Sequence, residues 1–300
     1  MEEIVSNKRT GIVASVLISM RPKQWIKNLF IFAPLIFSKS LFVYPLNIRA
    51  FGAFAIFSVV SGCVYIVNDI ADREEDRKHP TKRLRPIASG VLSAYTGTGV
   101  VAVLLLISFS AGYVLGTDFL TVSALYFLMN LAYSAFLKHV VLLDVFVIAL
   151  GFVLRVTGGA VVINIFPSTW LLLCTLLIAL FLAMCKRRHE LVLLEDEALN
   201  HRKILGEYSP YFLDQLIAVV TASTLVTYAL YTMSEEVHVE FGNNNLKYTI
   251  PFVLYGIFRY LYLVHQRSKG GSPTEIMMGD VPMLVNIGLW ALVVVMVLYL

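Results

Sequence analysis

Nine apolar runs, each close to the roughly 20 residues a helix needs to cross a bilayer, divide this chain: 26–46, 50–69, 92–115, 117–137, 140–162, 168–186, 213–233, 248–265 and 281–300. In lipid, backbone polar groups must be satisfied within the segment itself, so such runs fold as helices. They predict an all-α, polytopic membrane protein with nine transmembrane helices, forming a single integral membrane domain over residues 1–300. The third run passes into the fourth at Gly116 to Asp118, so a tight turn is required there. The composition agrees, being 58% hydrophobic and 15% charged, where a soluble domain has about 45–50% and 25%. It excludes a disordered or disulfide-stapled chain, and no nucleic-acid partner is expected. Cys63, Cys174 and Cys185 fit no metal or redox spacing and read as buried apolar residues. The apolar patch at 11–20 is followed by Arg21 and Lys23 without a small-residue cleavage site, and reads as an amphipathic lead-in.

The placement of charge sets the orientation. Lys8, Arg9, Arg21, Lys23 and Lys27 precede the first run, and Arg73, Arg77, Lys78, Lys82, Arg83 and Arg85 follow the second. Lys138, then Lys186, Arg187, Arg188, Arg202 and Lys203, then Arg267 and Lys269, fall on the same side. The opposite side holds only Lys39, Arg49 and Lys247. By the positive-inside rule the first side is cytoplasmic, which puts the N-terminus in the cytoplasm and the protein in the cell (plasma or inner) membrane. Arg155 and Arg259 lie inside runs and need polar partners there. Asp144 precedes Arg155 by 11 residues, about 16 Å along a helix, too far for a direct pair. An active-site cavity and a structural partner helix both remain open for Arg155, and Arg259 has no evident partner.

The strongest chemical signal is NDIADREED at 68–76, ending the second run. At about 100° per residue, Asn68, Asp72 and Asp76 share a helix face with Asp69 at its edge. Carboxylates stacked this closely repel one another unless a cation sits among them, and oxygen donors of this kind suit Mg²⁺. The plainer reading is a solvated acidic helix end paired with Arg73, Arg77 and Lys78. The basic loop HPTKRLRPIASG at 79–90 follows directly, its two prolines stiffening the backbone that carries Lys82, Arg83 and Arg85. Carboxylates for a metal beside cations for phosphate oxygens make a candidate Mg²⁺–diphosphate site. At 21–28, RPKQWIKN places Lys23 and Lys27 on one face with Asn28 beyond them. A lipid-headgroup anchor explains the two lysines and Trp25 equally well.

Together these three stretches resemble the UbiA superfamily of intramembrane prenyltransferases. The resemblance implies a nine-helix UbiA-like bundle with a cytoplasm-facing active-site cavity. It also extends to Tyr133, Lys138 and the stretch from Asp144 through Arg155 to Gly158 and Gly159. The chain departs from the prenyltransferase pattern at helix six, where the family has a second Asp-rich motif and this sequence has KRRHEL at 186–191. With that departure, the motifs look like the branch transferring 5-phosphoribose from phosphoribosyl pyrophosphate (PRPP) to a polyprenyl phosphate, for cell-envelope glycan precursors.

The resemblance thus implies a Mg-dependent phosphoribosyltransferase. Asp69, Asp72 and Asp76 are its candidate catalytic residues, and Asn68, Asp69, Asp72 and Asp76 its metal ligands. The candidate substrate-binding residues are Lys23, Lys27, Asn28, Lys82, Arg83, Arg85, Tyr133, Lys138, Arg155, Lys186, Arg187 and Glu190. A homo-oligomer is compatible with this reading. A prenyltransferase acting on a prenyl diphosphate and an aromatic or lipid acceptor is the alternative on the same fold. Glu190, with Glu195 and Asp196, substitutes poorly for the second carboxylate motif it would need. A transporter would show matching broken helices in both halves, and Gly158-Gly159 has no clear counterpart.

Overall fold

A computed structural model describes residues 11–194, 203–242, 244–267 and 273–300. Lys8, Arg9, Glu195, Asp196, Arg202 and Lys269 lie outside the described residues. Among those described there is no β-strand, as the apolar runs require. After α1 (Ile12–Met20), a 3₁₀ segment (Pro22–Phe32) and α2 (Ala33–Phe37), the main helices are α3 (Leu46–Ala71), α4 (Arg73–Lys78), α5 (Ala94–Leu115) and α6 (Thr117–Ala135). They continue with α7 (Leu143–Val162), α8 (Thr169–Leu194), α9 (Pro210–Thr232), α10 (Glu235–Phe241), α11 (Ile250–Gln266), α12 (Pro273–Gly279) and α13 (Val281–Tyr299).

Six helices among the described residues are both long and apolar enough to cross a membrane: those beginning at Leu46, Ala94, Leu143, Thr169, Pro210 and Val281. The other three predicted runs take different forms. The first is no continuous α-helix. Pro34 has no N–H to offer the carbonyl of Phe30, and that carbonyl instead accepts from Ala33, one residue earlier, closing a 3₁₀ turn. In α6, Asp118, Asn130 and several hydroxyl residues dilute the hydropathy of a helix of spanning length. The 17 residues of α11 fall just short of the usual length. The turn required between α5 and α6 is Gly116, which sits at φ 139° and ends one helix as it begins the next. Only glycine adopts that backbone readily.

α3 and α7 form the centre, each with 56% of its apolar stretch buried against 17% for α5. Ile31, Leu35, Phe57, Val60 and Phe119 pack one core around α3, while Val145, Ala149, Phe181, Ile217 and Tyr260 pack a second around α8. Lipid is as apolar as leucine, so helices in a bilayer associate by close fit at small residues. Gly159 shows this: a Cβ there would lie 2.0 Å from the Ile31 carbonyl oxygen, so the 3₁₀ segment rests directly on α7. The mid-run arginine of α11 also finds its partner. Arg259 donates to both carboxylate oxygens of Asp280, at 3.1 and 2.9 Å, and Asp280 in turn caps the amide of Met283 at the start of α13. At the other end of the bundle Arg49 donates to the carbonyls of Val162 and Leu115, at 2.7 and 2.5 Å, gathering the C-terminal ends of α7 and α5.

Candidate active site

The acidic face of α3 and its continuation, α4, carries its own counter-ions. Asp69 is buried, and its Oδ1 accepts from Arg21 at 2.5 Å and from Arg85 at 3.2 Å. The same Arg85 nitrogen reaches the buried Asp76 at 2.6 Å, so one guanidinium bridges two carboxylates. Arg21 adopts a left-handed backbone, φ 53°, at the kink between α1 and the 3₁₀ segment, which turns its side chain over the ring of Tyr65 toward Asp69. Asp72 is the accessible member, about a third exposed, and Lys138 donates to its Oδ1 at 2.8 Å. Asn68 accepts a hydrogen bond from Ser134 of α6. The basic loop is well anchored, because Arg77 donates to the Ala88 carbonyl at 3.1 Å and Leu92 N–H to that of Pro86 at 2.9 Å. Outside the spans, Arg73 and Arg77 hold the exposed Glu74 below the usual carboxylate range.

A second group lies deeper. Arg155 is buried and fully engaged: Nε donates to Asn28 at 2.7 Å, one terminal nitrogen to the Gly151 carbonyl at 2.7 Å, and the other to the Tyr126 hydroxyl at 2.8 Å. The rings of Tyr126 and Phe152 lie within 4.7 and 5.2 Å of the guanidinium and spread its charge. Asn28 is fully buried, and its amide nitrogen donates to Ser58 at 3.1 Å and Ser61 at 3.3 Å on α3. The Gly159 contact makes this possible, since it brings the 3₁₀ segment close enough to α7 for Asn28 to meet Arg155.

A third group closes the α8 end. Arg187 is among the largest fully buried side chains, set between Asp144, at 3.3 Å, and Glu190. Lys186 approaches Glu190 at 3.7 Å. Tyr208 donates to Asp144 at 2.7 Å and accepts from the Leu142 amide at 2.7 Å. Burial, then the hydrogen bond to Asp144, raises the Tyr208 phenol well above its ordinary value.

The predicted residues therefore fall into these three groups, joined at the end of the bundle where α3 stops and α7 starts. Among the described residues Lys23, Lys27 and Arg83 have no hydrogen-bonded or ion-paired partner. Lys23 and Arg83 are exposed, whereas Lys27 is half-buried within electrostatic reach of Arg21 and Arg155. Lys82 and Tyr133 are half-buried and engaged. Ser134, Tyr126 and Tyr208 join the site although sequence reasoning passed over them. The first two had a readable signal, as Tyr126, Asn130 and Ser134 recur every fourth residue along α6. Tyr208 had none, because its partners are far away in the chain.

No three His, Cys, Asp or Glu side chains among the described residues are grouped to hold a metal ion by themselves. Mg²⁺ does not require that, since it commonly takes one or two protein carboxylates and completes its shell with water and substrate phosphates. Asn68, Asp72 and Asp76 supply oxygen donors of this type, and Asp72 has Oδ2 without a partner among the described residues. The donor set suits a cation shared with phosphate rather than a closed protein cage.

The model of the UbiA prenyltransferase family matches residues 29–278. A protein of Corynebacterium glutamicum named decaprenyl-phosphate phosphoribosyltransferase is 32% identical over 94% of this chain and 86% of its own length. A Mycobacterium tuberculosis protein of the same name is 31% identical over 93% of this chain and 92% of its own. Among solved structures, a UbiA homolog from Archaeoglobus fulgidus bound to GPP and Mg²⁺ matches with a TM-score of 0.71, covering 95% of this chain and 100% of that one. Its sequence identity is 16%, so this likeness is one of fold.

Proposed function

The chain belongs to the UbiA prenyltransferase family, and from that membership we propose that it transfers 5-phosphoribose from PRPP to a polyprenyl phosphate. The products are polyprenylphosphoryl-5-phosphoribose and diphosphate, the former a precursor for cell-envelope glycans. The observation that carries this reading is the uncommitted positive charge of the site. Its buried carboxylates are matched by Arg21, Arg85 and Arg187, yet Lys23, Lys27 and Arg83 still await anions. A reaction between two phosphorylated substrates meets that need. The relatives named for this reaction match nearly the full length of both chains.

In the proposed reaction a lipid phosphate oxygen attacks the anomeric carbon of PRPP. The new C–O bond forms as the bond to diphosphate breaks. A phosphate monoester is already anionic near pH 7, so no general base is needed. Lys82, Arg83 and Lys186 bind the phosphates of the donor, and Lys23 and Lys27 the lipid phosphate. Arg155 and Tyr126 fix Asn28 behind them, while Tyr133 and Lys138 line the side formed by α6. Asn68, Asp72 and Asp76 hold Mg²⁺, with Asp69 beside them orienting Arg21 and Arg85. When bound, the ion neutralises charge developing on the departing diphosphate. The bundle spans the cell membrane nine times as one domain, with its N-terminus and site cavity facing the cytoplasm.

The test mixes purified protein with polyprenyl phosphate, radiolabelled PRPP and Mg²⁺. The expected result is label entering the organic phase, stopped by EDTA. No transfer from PRPP, with turnover of a prenyl diphosphate instead, overturns the proposal in favour of ordinary prenyl transfer.

A further inference from the structure

The loop joining α6 to α7 is gripped at both ends by different parts of the site. At its start Lys138 donates to Asp72, at the C-terminal end of α3, at 2.8 Å. At its end the Leu142 amide donates to the Tyr208 hydroxyl, and that hydroxyl donates to Asp144, both at 2.7 Å. Asp144 faces Arg187, which pairs with Glu190 on α8. The contacts at Lys138 and Leu142 therefore link the acidic end of α3 to the basic end of α8 through the five residues of loop backbone from one to the other.

Leu142 holds the loop in an unfavourable backbone, φ 67° and ψ −39°, which a branched side chain rarely adopts. Two sets of bonds hold it there: its carbonyl accepts from the Val145 and Phe146 amides in the first turn of α7, at 3.1 and 3.0 Å, and its amide is bonded to the Tyr208 hydroxyl, the one side chain among these partners. Tyr208 comes from the connection before α9, packs with Ile204 and Leu213, and is buried. It is placed to hold the loop and touches none of the unpartnered cations.

We propose that residues 136–142 and Tyr208 form a strap that sets the spacing between Asp72 and Glu190, with Tyr208 as its positioning residue. The functional half of this inference rests on the phosphoribosyl-transfer reading; the mechanical half does not. A strap that fixes the distance between a metal-binding face and a phosphate-binding face acts on donor binding, because PRPP carries both a diphosphate and a 5-phosphate.

The test is Tyr208→Phe, which keeps the ring and its stacking on Phe212 and removes only the hydroxyl. Two readouts are taken on the full-length protein in detergent. The first is amide hydrogen exchange, which needs no activity. Protection is expected to fall at 136–146 and also at both tethered ends, 68–78 and 184–191. Exchange that changes only at 136–146, or nowhere, overturns the strap. The second is steady-state kinetics, where KM for PRPP is expected to rise about tenfold, the worth of one well-placed hydrogen bond, with the lipid-phosphate KM unchanged. A lower Tm with unchanged KM for PRPP overturns the positioning role, leaving Tyr208 a structural residue. If wild-type protein transfers nothing from PRPP, the reaction assignment falls, and the exchange data alone decide the strap. Leu142→Gly in the Tyr208→Phe background provides the rescue, since glycine adopts this backbone without strain. Protection at 68–78 and 184–191 should then partly return, and its failure to return removes Leu142 from the device.

Discussion

Arg155 donates from Nε to the side-chain oxygen of Asn28 at 2.7 Å, across 127 positions of sequence and inside the membrane-spanning core. A charged group at that depth costs at least ~2.5–3.5 kcal/mol when unpaired, and three acceptors remove most of that cost. Asn28→Leu takes away one of them and leaves a buried guanidinium N–H without a partner. Such a change destabilises by about 1.5–3 kcal/mol. Thermal unfolding in detergent should show a clearly lower Tm for Asn28→Leu, and an unchanged Tm would mean the guanidinium finds another acceptor.

Gly159 should tolerate no side chain. Its Cβ position lies 2.0 Å from the Ile31 carbonyl oxygen, a backbone atom with no rotamer to escape into. Overpacking of this kind costs about 1–3 kcal/mol or more. Gly159→Ala should lower both Tm and transfer activity, because it pushes Asn28 away from Arg155. Gly158→Ala meets side-chain rings rather than backbone, Phe57 at 2.9 Å and Phe119 at 3.7 Å, and should be milder in both assays.

The carboxylates should separate by burial. Asp72 is a third exposed and touches one lysine. Asp72→Asn should abolish Mg²⁺-dependent turnover with Tm nearly unchanged. Asp69 is buried beneath two arginines, and Asp69→Asn should lower Tm as well as activity. A fully active Asp72→Asn enzyme would remove that residue from the metal shell.

Lys186→Ala should act on the donor. Lys186 sits beside Glu190 at the end of α8, and losing one charged phosphate contact is worth about 1.5–3 kcal/mol, or roughly 10–100-fold. The KM for PRPP should rise within that range while Tm stays level. An unchanged KM would place the donor phosphates elsewhere in the basic cluster.

Alkaline stability should depend on Tyr208. Its phenol is raised in the folded protein, first by burial and then by Asp144. A raised value means that the stabilising contribution is complete below the unfolded phenol value, about 10, and is lost as pH climbs past it. Tyr208→Phe has no proton to lose there. A pH series of Tm should show wild type declining faster than the variant above about pH 10.

How much of this was legible beforehand depends on how local the cause was. Hydropathy alone marks α3, α5, α7, α8, α9 and α13, because each carries its signal in its own sequence. The first run misleads, since its 3₁₀ winding follows from Pro34 and from the groove that Gly159 opens on a helix more than 100 residues away. Site residues divide the same way. The shared face of Asn68, Asp72 and Asp76 follows from helical spacing, but Arg21 and Arg85 as counter-ions of Asp69 and Asp76, and Lys138 as that of Asp72, do not. In sequence Arg187 looks like its neighbours Lys186 and Arg188, and only the fold buries it against Asp144. The partner of Arg259 was equally hidden, because Asp280 belongs to a different helix.

The two carbonyls held by Arg49 also fix directions. They end α5 and α7, so these helices run parallel and both point their C-terminal ends away from Asp72. Each helix carries a backbone dipole with about half a positive charge at its start. Two positive poles therefore face the end of the bundle where Lys27 and Arg83 lie, and the two negative poles converge on a single guanidinium at the far end. The C-terminal poles of α3, α6 and α8 lie at that same end, so the antiparallel helices largely cancel over the bundle as a whole, and the field left to favour an anion is local to the first turns of α5 and α7.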